Sequence, residues 1–493
     1  MTLPDPLLVL AGPLDLVSGA VRYVLRDLGA PIMMPIMMFL FGLALRQGVS
    51  KSIRAGLTIG VGFIGIGLAV KLLIDTVGPQ AMAFTSALGL ELTVLDVGWP
   101  VGAAVSFASP IALVLIPAIF LLNLVLVFTR VTSTMDVDLW NYWHFIYTGA
   151  LVQALTGSQV YGVLAACVTA ALILKLADWT APAVERYFGL PGVSLPHAET
   201  VNWAPLMYVL ERVEQRIPGF NRIDFNPEKI RRRFGLLGEP ITMGALLGLL
   251  IGALGGWPEL RSSCSTATGC AVGLFVKNTL FLAITMAAVL VILPKMVALL
   301  MEGLMPIAEG ARELFQKRFP DRKIYIGLDA AVVIAHPSGM AVALLLVPIS
   351  LALAMVLPGN RMLPFADLAV LAFYIIWAVA CSRGNIFRGL INGVLVVIAI
   401  LYIGSDLAAL TTQIARELKF MPQVADAGSY ALWSGVALGS HVLPWMLLRL
   451  FDRSSPQFYW ALGSLVVYGL CWYWVRGDIR RQFPDEQAAN SGA

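Results

Sequence analysis

Asp329 and His336 place a carboxylate and an imidazole close together in Ile326-Gly327-Leu328-Asp329 to His336-Pro337-Ser338-Gly339, a stretch with otherwise apolar surroundings. An ionisable group at membrane depth costs roughly 3 kcal/mol on insertion scales, so its presence there points to a task. Pro337 and Gly339 argue against an uninterrupted spanning helix, and broken backbone at that depth is tolerated only inside protein or along a cavity. Asp96 and Trp99, in Leu95-Asp96-Val97-Gly98-Trp99-Pro100, repeat the combination. His144 follows Trp140-Asn141-Tyr142-Trp143, with Thr148 on the same helical face and Gln153 further along. His197 comes after Leu195-Pro196, and Glu239 stands at a helix start in Gly238-Glu239-Pro240.

Carboxylates and carboxamides accept hydrogen bonds, imidazoles accept or donate, and an aromatic wall covers C–H faces; together they suit a polyol or sugar. The same acids and histidines would equally serve proton coupling. Simpler explanations stand beside these. Asp96 and Asp329 could cap interfacial helices, and Glu239 could answer a helix dipole. An aromatic belt accounts for Trp140, Tyr142 and Trp143 but not for His144. His441 reads as structural.

The elements that must position these residues are membrane helices. Of 493 residues 58% are apolar and 13% charged, against about 25% charged in a soluble domain; mean hydropathy is +0.81. A net charge of +4 is too small and scattered for nucleic acid. The acidic N-terminus does not read as a signal peptide. The five cysteines form no metal motif; Cys264 and Cys270 share one short loop, and an extracytoplasmic placement would permit a bridge without requiring one. No G-x-S-x-G, Walker A or H-E-x-x-H pattern is present, so neither nucleophilic catalysis nor ATP use is indicated, and no cofactor is expected.

Apolar runs of spanning length fall near 31–46, 55–74, 110–129, 139–156, 159–177, 239–256, 276–297, 339–357, 366–382, 386–404 and 456–475, with 431–448 read as interfacial. Most of the 34 Lys and Arg lie in cytoplasmic segments if the N-terminus is outside and the C-terminus inside. Landmarks recur in order: Asp96 then Pro117, as Asp329 then Pro348; Asp138, Gly157 and Asp178, as Asp367, Gly384 and Asp406. The expected fold is an all-α polytopic membrane protein of about eleven transmembrane helices. Two inverted five-helix repeats with re-entrant hairpins (31–180 and 236–407) are flanked by an amphipathic segment (1–30), a cytoplasmic linker with a possible hairpin (181–235), an interfacial segment (408–455) and a last helix with its tail (456–493). Inverted repeats are transporter architecture, with the substrate site between the repeats.

The chain resembles the galactitol-specific IIC component of the bacterial phosphoenolpyruvate-dependent sugar phosphotransferase system. The resemblance is carried by DVGWP at 96–100, Asp138-x-Trp140-Asn141-x-Trp143-His144, Lys175-Leu176-x-Asp178-Trp179, Pro196-His197 and Gly238-Glu239-Pro240. It continues through Ile326-Gly327-Leu328-Asp329, His336, Pro358-Gly359-Asn360, Leu363-Pro364-Phe365-x-Asp367 and Arg383-Gly384-Asn385-x-Phe387-Arg388. The chain departs from the family pattern at Ala198-Glu199-Thr200, at Pro337-Ser338-Gly339 and in the loop from Pro258 to Gly273. The resemblance implies a multi-pass inner-membrane permease, an elevator-like homodimer, that translocates a hexitol for phosphorylation by a soluble IIB partner, itself charged by IIA. The substrate-site expectation is Asp96, Trp99, His144, Thr148, Gln153, His197, Glu239, Asp329 and His336, with Asp329 and His336 nearest the chemistry. The competing readings are a proton- or sodium-coupled secondary transporter and a membrane-embedded enzyme.

Overall fold

The computed structural model describes residues 30–62, 92–220, 240–264, 271–318, 324–418, 432–452 and 455–483, except Pro110, Ala335, Phe365 and Ala366, together with Ile223 and scattered positions between 64 and 76. The N-terminal amphipathic segment, Glu239 and Cys270 lie outside the described residues.

Helix α1 (Ala30–Ala44) and helical residues 49–62 precede strand β1 (Val94–Asp96). Then come α2 (Gly98–Ala108), α3 (Ala112–Phe128), β2 (Thr134–Asp136), a 3-10 turn (Leu139–Asn141), α4 (Tyr142–Thr156) and α5 (Gln159–Arg186). Strand β3 (Val193–Ser194), α6 (Ala198–Val201) and α7 (Ala204–Glu214) follow. Next come α8 (Pro240–Cys264) and α9 (Val272–Arg318). The strand–helix–helix order then starts again with β4 (Tyr325–Gly327), α10 (Ala331–Ile334), α11 (Pro337–Val356), β5 (Met362–Leu363), a 3-10 turn (Leu368–Val370), α12 (Ala372–Cys381) and α13 (Ile386–Glu417). It closes with β6 (Leu432–Ser434), α14 (Val436–Gly439) and α15 (Val442–Arg449), after which α16 (Gln457–Val475) and α17 (Asp478–Gln482) end the described chain.

The protein is mostly helical, and among the described residues five helical stretches are long and apolar enough to cross a membrane: Gln159–Arg186, Val272–Val289, Pro337–Val356, Ile386–Glu417 and Gln457–Gln482. Their outward faces are apolar: Ile284 is 69% exposed, Val356 72% and Trp460 75%. Asp96, Asp136, His144 and Asn392 are meanwhile fully buried. Apolar outside and polar inside is the distribution a lipid solvent selects.

Six short strands among the described residues depart from the all-α expectation. β1 pairs in parallel with β5 and β6 (Val94 opposite Met362 and Leu432), and β4 pairs in parallel with β2 and β3 (Ile326 opposite Met135 and Val193). Each sheet therefore takes its central strand from one half of the chain and its flanking strands from the other. Runs of two or three residues are too short for a period-2 pattern to register. Their ladders satisfy backbone groups that a broken segment would otherwise bury unpaired.

Helices α8 and α9 pack closely through small residues. A Cβ on Gly244, Gly248 or Gly252 would stand 2.7, 2.5 or 2.9 Å from the Cα of Ala287, Ala283 or Thr279. This is the small-xxx-small device that lets backbones approach where apolar burial gives no driving force. Cys264, at the end of α8, is disulfide-bonded.

Candidate functional site

Four aspartates tie the two halves together. Asp96 Oδ1 accepts from Gly98 N at 3.1 Å, and its Oδ2 accepts from Asp367 N at 3.3 Å. Asp367 accepts in turn from Trp99 N (2.9 Å) and Ala437 N (3.0 Å). The other pair mirrors this: Asp329 Oδ1 accepts from Ala331 N at 2.6 Å, and Asp329 N donates to Asp138 Oδ2 at 3.0 Å. Asp138 Oδ1 also accepts from Trp140 N at 3.0 Å. These bonds anchor backbone N–H groups at the starts of short helical turns, and three of the four carboxylates do so across the two halves, so part of their role is architectural.

Between these ties lies a buried cluster of three imidazoles. His144 sits in the first turn of α4, His197 caps α6 and His441 caps α15. The ring centres of His144 and His197 are 4.4 Å apart, and those of His144 and His441 are 5.0 Å apart. Trp143 meets His441 edge-on at 5.5 Å, and Phe373 stacks on His197 at 5.5 Å. His197 Nε2 lies 3.4 Å from Asp329 Oδ2, and its Nδ1 lies 2.9 Å from Thr200 Oγ1.

Hydrogen bonding fixes the tautomers in the neutral chain. His441 Nδ1 faces Ala437 O at 3.0 Å and must donate, because a carbonyl only accepts. His441 Nε2 is then an acceptor, and His144 Nδ1, 2.9 Å away, donates to it. His144 Nε2 is left as a bare lone pair, buried without a partner. Glu199 Oε1, 3.8 Å from His144 Nδ1, is also buried without a partner. Two acceptors so placed call for donors, and hydroxyl groups supply them.

His144, Glu199 and His441 also offer ligand atoms within 4.8 Å of one another, the spacing of a metal site. Two nitrogens held tetrahedrally at about 2.0–2.1 Å from one zinc ion would stand ~3.3 Å apart. The observed 2.9 Å is the length of a hydrogen bond.

The family model for the sugar-specific permease component of the phosphotransferase system, EIIC-GAT, matches residues 23–423. The chain belongs to this family. It is 36% identical over 470 residues to the galactitol-specific EIIC component of the phosphotransferase system from Escherichia coli (strain K12), covering 94% of this chain and 98% of that one. The corresponding protein of Escherichia coli O157:H7 matches to the same extent. A putative permease IIC component of Escherichia coli (strain K12) is 41% identical over 448 residues, covering 91% and 96% of the two chains.

Within this IIC permease the expected residues separate. His144, His197 and Asp329 come together. Asp96 and Trp99 join Asp367, and Trp99 meets Trp140 edge-on at 5.6 Å. Thr148 Oγ1 donates to His144 O one turn back. Gln153, near the far end of α4, is removed from His144 by ~13 Å of helix. His336 keeps other company: its Nδ1 is 3.5 Å from Tyr187 Oη, and its ring packs on Tyr187 (4.7 Å) and Phe188 (5.5 Å). Glu239 lies outside the described residues.

Glu199, His441, Asp138 and Asp367, which join this cluster and its ties, were not among the residues expected from sequence. The two aspartates were visible as repeat landmarks, and each stands just before a 3-10 turn. Glu199 is an acid among small residues after Pro196-His197, only 4% exposed. His441 belongs to a segment whose strand β6 completes a sheet, which only the pairing with β1 reveals.

Proposed function

We propose that this permease binds galactitol in the His144–Glu199–His197 cluster and presents it, across the inner membrane, to a phosphorylated IIB partner charged by IIA. The observation that carries the reading is the pair of buried, partnerless acceptors, His144 Nε2 and Glu199 Oε1. A hexitol has hydroxyl donors and no charge, which matches acceptors in a dry site. Trp143 and Phe373 supply apolar walls beside the rings. Asp329 orients His197, as a carboxylate behind an imidazole does elsewhere. When IIB delivers its phosphoryl group, the S–P bond of its phosphocysteine breaks and an O–P bond forms on the sugar alcohol. The hydroxyl proton passes to His144 Nε2 or Glu199, and the thiolate leaves with IIB.

The scaffold is proposed to be an inverted repeat that extends to α15, beyond the 236–407 expected from landmarks, with about eleven spanning helices. Its support is the recurring element order and the exchange of strands between the sheets. The disulfide at Cys264 supports an extracytoplasmic loop after α8 and hence a cytoplasmic C-terminus. The elevator-like homodimer rests on the family resemblance.

Equilibrium binding of galactitol to the purified permease, followed by tryptophan fluorescence, tests the site. His144→Leu and Glu199→Gln, with folded yield unchanged, should each weaken binding by about tenfold or more, the worth of a lost buried hydrogen bond. Wild-type affinity in both variants would remove the cluster from the site.

A further inference from the structure

A second polar cavity, of about 690 Å³, opens where α7, the α12–α13 turn and α17 meet. It is of small-ligand size. Four arginines line it (Arg212, Arg383, Arg388 and Arg481) against two carboxylates, Glu211 and Asp478. Arg388 pairs with Glu211, and Arg212 with Asp478. Arg383 and Arg481 have no carboxylate partner among the described residues, and the Arg383 guanidinium reaches only Gln482 O at 3.5 Å. Four groups on the wall are buried without partners: Arg388 Nε and Tyr208 Oη, which can donate, and the acceptors Glu211 Oε2 and Gln482 Oε1.

Arg383 also holds a backbone conformation that does not suit it. Its φ is +53°, the left-handed region, which is strained for a residue with a Cβ and open to glycine. Strain retained at an arginine that faces a cavity points to a use for the guanidinium.

We propose that this cavity is a phosphoryl-anion site that receives galactitol phosphate after transfer, on its way to the cytoplasm. The inference rests on the function proposed above and adds an exit site to it. Charge matches: a phosphate monoester carries about −1.5 to −2 at neutral pH, and the wall carries four guanidinium groups against two carboxylates. Arginine forks also suit phosphate oxygens geometrically. Position separates product from donor. Helix α12 runs from Phe373, stacked on His197, to Cys381 on the cavity wall, a rise of ~12 Å over eight residues. A phosphoryl group held there is well outside the ~3–3.5 Å that transfer requires. The cavity therefore serves the ester once formed, not the phosphocysteine about to react.

The test is binding to the full-length permease in detergent, comparing wild type with Arg383→Gly, Arg481→Gln and the double variant. Arg383→Gly relieves the left-handed strain, so an undiminished melting temperature shows that the fold is kept. The probes are galactitol phosphate, inorganic phosphate, galactitol and phosphorylated IIB. Wild type should bind galactitol phosphate in a salt-sensitive way. Each single variant should lose about tenfold and the double variant more, while galactitol binds all four proteins alike. Galactitol phosphate binding indifferent to the variants, with galactitol still bound, overturns the exit site alone. Loss confined to phosphorylated IIB assigns the arginines to the donor and also overturns it. Inorganic phosphate bound as tightly as the ester rejects the ester as the specific occupant. Failure of wild type to bind galactitol at all sinks the function reading instead.

Discussion

Replacing His441 tests whether the histidine chain sets the acceptor that faces the substrate. His441 Nε2 accepts from His144 Nδ1 at 2.9 Å, and both rings are essentially inaccessible to water. In His441→Leu the His144 Nδ1–H loses its acceptor with no solvent to replace it, and Glu199 Oε1, at 3.8 Å, stands beyond hydrogen-bond distance. An unsatisfied buried donor costs about 1–3 kcal/mol, roughly 5- to 150-fold in an equilibrium at 1.4 kcal/mol per decade. His144 can escape that cost by moving its proton to Nε2, which turns the substrate-facing acceptor into a donor. The variant should therefore melt earlier and bind galactitol about tenfold more weakly. His441→Gln brings a carboxamide oxygen near the former Nε2 and keeps an acceptor for His144, so its affinity should stay within about threefold of wild type. Titration calorimetry with galactitol measures the affinities, and ¹⁵N NMR of labelled histidine reads the His144 tautomer directly. Wild-type affinity in His441→Leu, or equal losses in both variants, would refute the chain.

Three further outcomes are expected. Gly248→Val would drive its side chain onto the Ala283 backbone, 2.5 Å from the Cα; it should separate α8 from α9 and lower the yield of folded protein, whereas Gly273→Ala, with open space around it, should not. Asp406 accepts from Trp445 Nε1, Gln457 Nε2 and the Arg449 guanidinium, joining α13, α15 and α16; Asp406→Ala leaves the buried Arg449 with only Asp452, 3.5 Å away, and should cost about 3 kcal/mol, measured as a drop in melting temperature. Glu214 on α7 is raised from 4.5 to about 7, first by burial and then by the neighbouring Glu211 charge. Its contribution to stability is thus fully present below pH 4.5, falls as the unfolded chain ionises first, and is lost above about pH 7. Glu214→Gln should flatten the melting-temperature profile over that window and raise stability at pH 8, and an unaltered profile would contradict the assignment.

Much of this was legible in the sequence because lipid imposes coarse rules. Long apolar runs such as Gln159–Arg186 announce helices without reference to any neighbour. An acid among apolar residues, as at Asp329, flags a polar interior. The strands were not legible, since β3 and β5 are two residues long and exist only through partners far along the chain. That long-range pairing is also what brings His441 beside His144, so an isolated reading of 431–448 sees only a short, broken helix. His336 shows the converse: its spacing from Asp329 suggested a shared site, but α10 intervenes and carries it to Tyr187. Glu199 was passed over because nothing local says that its carboxylate is enclosed.

The central claim is that galactitol crosses by being captured in the buried histidine–carboxylate cluster and leaves only as its phosphate. Membrane vesicles bearing the permease and supplied with labelled galactitol, with and without phosphorylated IIB on the cytoplasmic face, test it most directly. The account predicts label appearing as galactitol phosphate only when phosphorylated IIB is present, with ester formation at low galactitol concentration reduced about tenfold or more in Glu199→Gln. Accumulation of unmodified galactitol against its gradient, abolished by an uncoupler and indifferent to IIB, would contradict it.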